Sequence, residues 1–430
     1  RRPLPQRDRA GSLMSIAYAA VWFFVFSLPW ENFIVIPGVG VFSRVIGAAG
    51  VGLTVVAMVL TGRFRRWQPF QYAAFLFVLW AAGVLLIAYN PAQMPKKFWT
   101  FVQLFVMVWM IWEIAVSRSR LIGLLSAYVL GAYVSALDTI LLFRREGGAM
   151  KRFAAAGGDP NDLAMTLAAG IPMAWYLGMT SHRPIVRWAC RAYIPVGLLA
   201  IGLTGSRGGM IASLVGLLIV PLTMTRLSPG KLALAIALLA ISGGIAVAYV
   251  PKTIVSRLST TTTAVEDLSL GGRFRIWKAG FHAFEQRPLI GYGSGAFKVA
   301  LLPELGNATQ VAHNSYLSVL VEEGLIGLLL YLSMFVAVFL ALMRLRGLER
   351  RFALVLLATI AVAMLPLTWD DRKTVWFVLA ALAGLARATT MVWRPAAPGP
   401  EYAGAPLYRG PASGRPAPIA VPNARRGTSR

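Results

Sequence analysis

Cysteine, histidine and acidic residues are all scarce in this 430-residue chain, which has one cysteine, three histidines and 17 Asp plus Glu. The lone Cys190 excludes an intrachain disulfide and a cysteine-based zinc site. Adjacent Asp370 and Asp371 would diverge on a helix and no His/Asp/Glu cluster accompanies them, so neither a metal nor a cofactor is expected. Charged residues amount to only 14%, where soluble domains carry about a quarter, so an ordinary soluble domain is excluded. Apolar residues fill the gap, at 57% of the chain with a mean hydropathy of +0.65.

The apolar residues are gathered in runs, and a lipid-spanning helix needs about 20 of them. About twelve runs of this kind follow one another, separated by short basic or Gly/Pro-marked loops. Their approximate limits are 12–29, 40–60, 70–89, 99–116, 121–142, 162–179, 192–204, 209–224, 232–250, 314–342, 352–368 and 374–392. The seventh and eighth are short enough for one to be re-entrant or strongly tilted. The expected fold is therefore an all-α polytopic membrane protein with about 12 transmembrane helices. It divides into nine spans over 1–250, a long loop at 251–313, three spans over 314–392 and a tail at 393–430. The first span reads as an uncleaved helix rather than a secretory signal, because many more spans follow it.

Lys and Arg are retained on the cytoplasmic side of short loops. With both termini inside, that side takes Arg1, Arg2, Arg7, Arg9, the Arg63–Arg66 loop, Arg118, Arg120, Arg183, Arg187, Arg191 and the Arg344–Arg351 loop. The tail, rich in Pro, Gly, Ala and Arg after Trp393, is expected to be disordered and to meet anionic lipid headgroups. The net charge of +25 is thus explained without nucleic acid. Two basic groups oppose the rule: Arg144, Arg145, Lys151 and Arg152, and then Lys252, Arg257, Arg273, Arg275, Lys278, Arg287 and Lys298. Either an anionic ligand binds on the outer face, with phosphate the first to consider, or these loops cross regardless of charge.

The interruption at 251–313 is far longer than any other loop, and long loops without a transmembrane element are uncommon unless functional. Short helices are expected in it, since Phe274, Trp277, Phe281 and Phe284 recur at three- and four-residue intervals. The glycines of GYGSG at 291–295 have no strand–turn–helix unit around them, so a dinucleotide loop is discarded for a flexible turn.

Three strings in and after this loop stand out: GGRFRIW at 271–277, RPLIGYGSGAF at 287–297 and AHNSYLSVLVEEGLIG at 312–327. Together they resemble the signature region of the O-antigen ligase and polymerase family, membrane glycosyltransferases that act on polyprenyl-pyrophosphate-linked glycans. The resemblance extends upstream to GDPNDLAMTLAAGIP at 158–172 and LTGSRGG at 203–209, and so covers most of 158–330. The first five spans carry no nameable motif.

The resemblance implies His313 as the catalytic histidine, general base to an acceptor hydroxyl; a pKa of about 6.5 suits imidazole to that task. A polyprenyl pyrophosphate is an activated leaving group, so the protein has mainly to stabilise developing negative charge. The planar, permanently charged fork of arginine does so, and Arg207 and Arg273 are the first choices, with Arg275 third. Arg207 also admits a simpler reading, as a cap of a short turn or a snorkelling cation. Asn314 orients a hydroxyl or phosphate, caps a helix, or does both. Lys278, Trp277, Tyr292 and Tyr316 complete the expected substrate contacts, although for each aromatic a place in the interfacial belt is the default. Glu322 and Glu323 lie about two and a half turns beyond His313, too deep to assist it. Asp159, Asp162, Glu266, Asp267, Glu304, Asp370 and Asp371 are the other outer carboxylates, and no spacing singles one out.

The implied activity is that of an O-antigen ligase: transfer of polysaccharide from undecaprenyl pyrophosphate to a lipid A–core sugar at the periplasmic face of a bacterial inner membrane, inverting and metal-independent. A repeat-unit polymerase, a protein O-oligosaccharyltransferase and, from a different class, a lipid-linked glycan transporter stand as alternatives. The transporter would need no base and should show paired half-repeats, of which none is clear.

Overall fold

The computed structural model describes residues 6–87, 94–147, 152–155, 158–224, 230, 272–306 and 311–391, and almost all of them are helical. The expected ninth span, the first part of the long loop and the basic tail lie outside the described residues. Helices α1 (Gln6–Ser27), α2 (Phe42–Thr61), α3 (Pro69–Ile87), α4 (Met94–Ile114), α5 (Arg118–Glu146), α6 (Pro160–Thr180) and α7 (Pro184–Thr204) come first. Then follow α8 (Arg207–Leu217), α9 (Ile219–Thr223), α10 (Arg273–Gln286), the single turns α11 (Phe297–Ala300) and α12 (Leu302–Leu305), α13 (Ser315–Leu342), α14 (Gly347–Ala363) and α15 (Lys373–Met391). A 3-10 turn at Leu28–Phe33 and a small hairpin, β1 (Val35–Ile36) against β2 (Gly40–Val41), join α1 to α2.

Among the described residues, eight helices are long and apolar enough to cross a membrane: Gly11–Phe33, Phe42–Thr61, Pro69–Ile87, Lys96–Ile114, Arg118–Glu146, Pro160–Thr180, Pro184–Thr204 and Ser315–Leu342. The chain is thus an all-α polytopic protein. The seventh span begins earlier than its apolar window, at Pro184 rather than 192, because Arg187 and Arg191 on its first turns lower the local hydropathy. The eighth is divided, α8 giving way to α9 at Leu218. Large exposed side chains such as Leu60, Leu79, Leu86 and Leu329 stud the helices. In lipid such a surface is the favourable one, since helices already satisfy their own backbone.

Local chemistry sets several helix starts. Asp159 caps α6 by accepting from Asn161 N at 2.7 Å, with Pro160 at the first helical position, and Ser206 caps α8 by accepting from Gly209 N at 3.2 Å. Small residues then allow close packing of α6 against α5, α7, α8 and α14. A Cβ on Gly170 would overlap the Tyr193 hydroxyl, which donates to Leu167 O at 2.8 Å. Helix α15 is buried on nearly every side, with Trp376 and Phe377 against Phe101 and Tyr128.

The amphipathic helix expected in the long loop is α10, and of its aromatic stripe Trp277 and Phe284 pack inward while the other two do not. Ile276, Ala279, Gly280 and Ala283 are buried, while Phe274 and Phe281 are about half exposed. A Cβ on Gly280 would sit 3.1 Å from Leu317 Cδ2, so α10 meets α13 on small side chains, while Trp277 and Phe284 are partly buried against the same cluster and Phe274 and Phe281 turn outward.

Candidate active site

His313 sits where the chain enters α13, in a segment stitched to the connection between α14 and α15. Its N–H donates to Thr368 Oγ1 at 3.1 Å; Ser315 N donates to Met364 O at 2.9 Å and Ser315 Oγ to Leu367 O at 2.7 Å. On the other flank, Trp277 Nε1 of α10 holds the carbonyl of Ala312 at 2.9 Å. His313 has φ +46°, the one positive φ outside glycine among the described residues. Such backbone costs on the order of 1 kcal/mol or more and persists where its surroundings over-determine it, as these bonds do.

The imidazole is half-buried. Burial pushes its pKa below the ordinary 6.5, the Arg273 cation pushes the same way, and the Asp159 carboxylate opposes them. A neutral ring at neutral pH can accept a proton.

Arg273 opens α10 directly after Gly272, which adopts φ +83°, and is half-buried; Arg275 and Lys278 are exposed on the same helix. Arg207 opens α8 and is likewise half-buried. A Cβ on its neighbour Gly208 would lie 2.6 Å from Pro366 Cγ, so the start of α8 abuts the segment that holds His313. Arg273, the start of α8 and His313 therefore share one end of the bundle, around residues 364–369.

The other expected contacts have their polar atoms engaged inside the protein. Asn314 Oδ1 accepts from Leu317 N at 3.0 Å as the cap of α13, and the Tyr316 hydroxyl donates to Ala361 O at 2.9 Å. The Tyr292 hydroxyl donates to Gln286 Oε1 at 3.1 Å, with the Arg287 guanidinium 4.9 Å over its ring. Asn314, Tyr316, Tyr292 and Trp277 are thus each fixed by a hydrogen bond within the protein.

The glycine-rich stretch at 291–295, expected as a flexible turn, is locked into a break in α13. Gly324 leaves helical geometry at φ 70°, ψ −173°. Into that break the loop sends backbone bonds: Tyr292 N to Val321 O at 3.1 Å, Gly293 N to Glu322 O at 2.6 Å and, in return, Leu325 N to Pro288 O at 2.8 Å. A Cβ on Gly291 would stand 2.5 Å from Glu322 O, and one on Gly324 would overlap the Leu289 carbonyl. Glycine is required at both positions because two backbones touch there.

Sequence reasoning passed over a buried ionic cluster below this end. Lys97 Nζ of α4 lies 2.6 Å from Glu322 Oε2, 2.7 Å from Asp370 Oδ2 and 3.3 Å from Ser318 Oγ. Ser294 of the glycine-rich loop donates to Glu323. Burial raises the Asp370 carboxyl above the ordinary carboxylate range, and Lys97 opposes that rise. Glu322 and Glu323 do not face His313; they tie α13 to α4 and to the loop. The signal was present as charges in or beside apolar segments, Lys97 just before the fourth apolar run and Glu322–Glu323 in the tenth, where an ion needs a partner. Among the described residues no three His, Cys, Asp or Glu are grouped to hold a metal ion.

Fold and composition together define a polytopic all-α membrane protein, with His313, Arg273 and the start of α8 at one end of its bundle. Residues 193–332 match the family model described as O-antigen ligase, a stretch that contains Arg207, Arg273, His313 and the glycine interlock. The chain carries a domain of the O-antigen ligase family, as its motifs implied. No curated protein matches the chain.

Proposed function

We propose that the protein is a membrane glycosyltransferase of the O-antigen ligase type, moving a glycan from undecaprenyl pyrophosphate to a sugar of lipid A–core at the periplasmic face. The observation that carries this reading is His313: half-buried, on strained backbone, with a cation and a carboxylate both close enough to act on its ring. As the acceptor oxygen attacks the anomeric carbon, its proton passes to the imidazole. The sugar–phosphate bond breaks and its electron pair leaves on the polyprenyl pyrophosphate. Arg273 and Arg207 stabilise that charge, with Arg275 and Lys278 as outlying cations. One displacement inverts the anomeric centre. The leaving group needs no Lewis acid, so transfer proceeds without a metal. In this reading twelve spans put both termini in the cytoplasm, and the basic loops that oppose the charge rule face the donor.

The test gives purified protein an undecaprenyl-pyrophosphate glycan with and without lipid A–core and follows the products on a gel. Acceptor-dependent attachment, lost in His313→Ala and Arg273→Ala, supports the proposal. Elongation without acceptor replaces it by a polymerase, and donor left untouched with either lipid or protein acceptors replaces it by a transporter.

A further inference from the structure

A cavity opens at the same end of the bundle, lined by neither Arg207 nor Arg273. Trp30, Glu31 and Asn32 of the 3-10 turn line it, with Asp159 and Asp162 of the α6 start and Arg372 before α15. Its cations are taken: Arg372 pairs with Asp162 at 2.7 Å, and Lys373 pairs with Glu31 and lies 2.9 Å from Ser43 Oγ. Glu31, Asp159 and Asp162 together outweigh Arg372 and Lys373, so the lining has no surplus positive charge with which to hold a phosphate.

The lining also carries an unmet donor. The Trp30 indole N–H is buried without a hydrogen-bond partner, and a buried donor of that kind calls for a ligand or water. Its ring is fixed edge-on by Phe26 at 5.3 Å and Phe33 at 6.1 Å. An indole, a carboxamide and paired carboxylates around one opening suit a neutral ligand rich in hydroxyls, which can donate to the acids and accept from the indole and amide. An apolar ligand would leave the indole N–H unsatisfied.

The cavity and His313 share a wall. Trp369 Nε1 donates to Asp162 Oδ1 at 2.9 Å, while Trp369 N is bonded to Ser315 Oγ at 2.7 Å, two residues from His313. Asp159 both lines the cavity and acts on the imidazole. We propose that this cavity is a saccharide subsite that seats a neutral pyranose of the acceptor beside His313, the donor pyrophosphate lying with the arginines. The assignment of the sugar to the acceptor rests on the glycosyl-transfer reading above.

The test uses the full chain in lipid nanodiscs and a deacylated, dephosphorylated lipopolysaccharide core oligosaccharide as probe, read by saturation-transfer NMR. Trp30→Phe removes the indole N–H and keeps an aromatic ring; Asn32→Ala removes an exposed carboxamide. Each should weaken probe binding by about five- to tenfold, the worth of one hydrogen bond, and excess pyrophosphate should not displace the probe. No binding to the native protein, unchanged binding in both variants, or displacement by pyrophosphate overturns the proposal. In the transfer assay the same variants should raise KM for the acceptor and leave KM for the donor unchanged; a rise in the donor KM alone also overturns it. If the native protein transfers nothing, the glycosyl-transfer reading falls, and the binding experiment still decides the subsite.

Discussion

Replacing Gly324 by alanine attacks the one place where the glycine-rich loop and α13 depend on each other. At φ 70°, ψ −173° an alanine is in backbone space almost reserved for glycine, which costs on the order of 1–3 kcal/mol. Its Cβ would also overlap the Leu289 carbonyl, so the loop must withdraw and give up the bonds from Leu325 N to Pro288 O and Ile326 N to Leu289 O. At roughly 0.5–1.5 kcal/mol each, the total is about 2–6 kcal/mol. For a chain of this size that corresponds to an apparent Tm lower by about 2–7 °C, read by fluorescence-detected size exclusion after heating in detergent. Gly52→Ala is the control: nothing lies within 4 Å of its added Cβ, and alanine in a helix should be neutral or slightly stabilising. Gly291→Ala should match Gly324→Ala, because both open the same interlock, and the double variant should cost clearly less than the sum. A Gly324→Ala protein that melts with the control, or full additivity of the pair, would refute this account of the loop.

The acid limb of the kcat/KM profile should fall below pH 6.5, since burial and Arg273 hold the imidazole neutral to lower pH. Arg273→Gln should move that limb up in pH and Asp159→Asn should move it down; shifts in the opposite directions would dismiss His313 as the titrating base. Lys97→Met leaves Glu322 and Asp370 buried without their counter-ion and should destabilise by about 3–5 kcal/mol. Adding Glu322→Gln and Asp370→Asn should restore most of that loss in the same thermal assay, and no recovery would mean that Lys97 acts otherwise. Arg207→Ala and Arg273→Ala should each lower kcat by about 10²–10³ with donor binding retained, and a pure rise in KM would assign them to ground-state binding. Transfer should survive chelation by EDTA, and activity that is lost and then restored by a divalent ion would overturn metal independence.

What the sequence determined by itself is what local composition encodes. An apolar run of about 20 residues leaves a backbone few options besides a helix, so the helices could be located before any contact was known. Likewise, motifs whose order resembles the family's marked His313, Arg207 and Arg273 as candidates before any contact was known. The tertiary structure decided what depends on residues far apart in the chain. Lys97 finds Glu322 and Asp370 across hundreds of positions. GYGSG reads as a loose turn until Gly324 is seen to break α13 beneath it. The aromatic stripe of α10 was split, Trp277 and Phe284 packing inward and Phe274 and Phe281 facing out, because close approach to Leu317 favours Gly280 and alanines at the contact. Asp162 was one carboxylate among many until Trp369 and Arg372 closed on it. Periodicity reports which elements form; pairing of buried charge and contact of backbone on backbone are set by three-dimensional neighbours, which no local window contains.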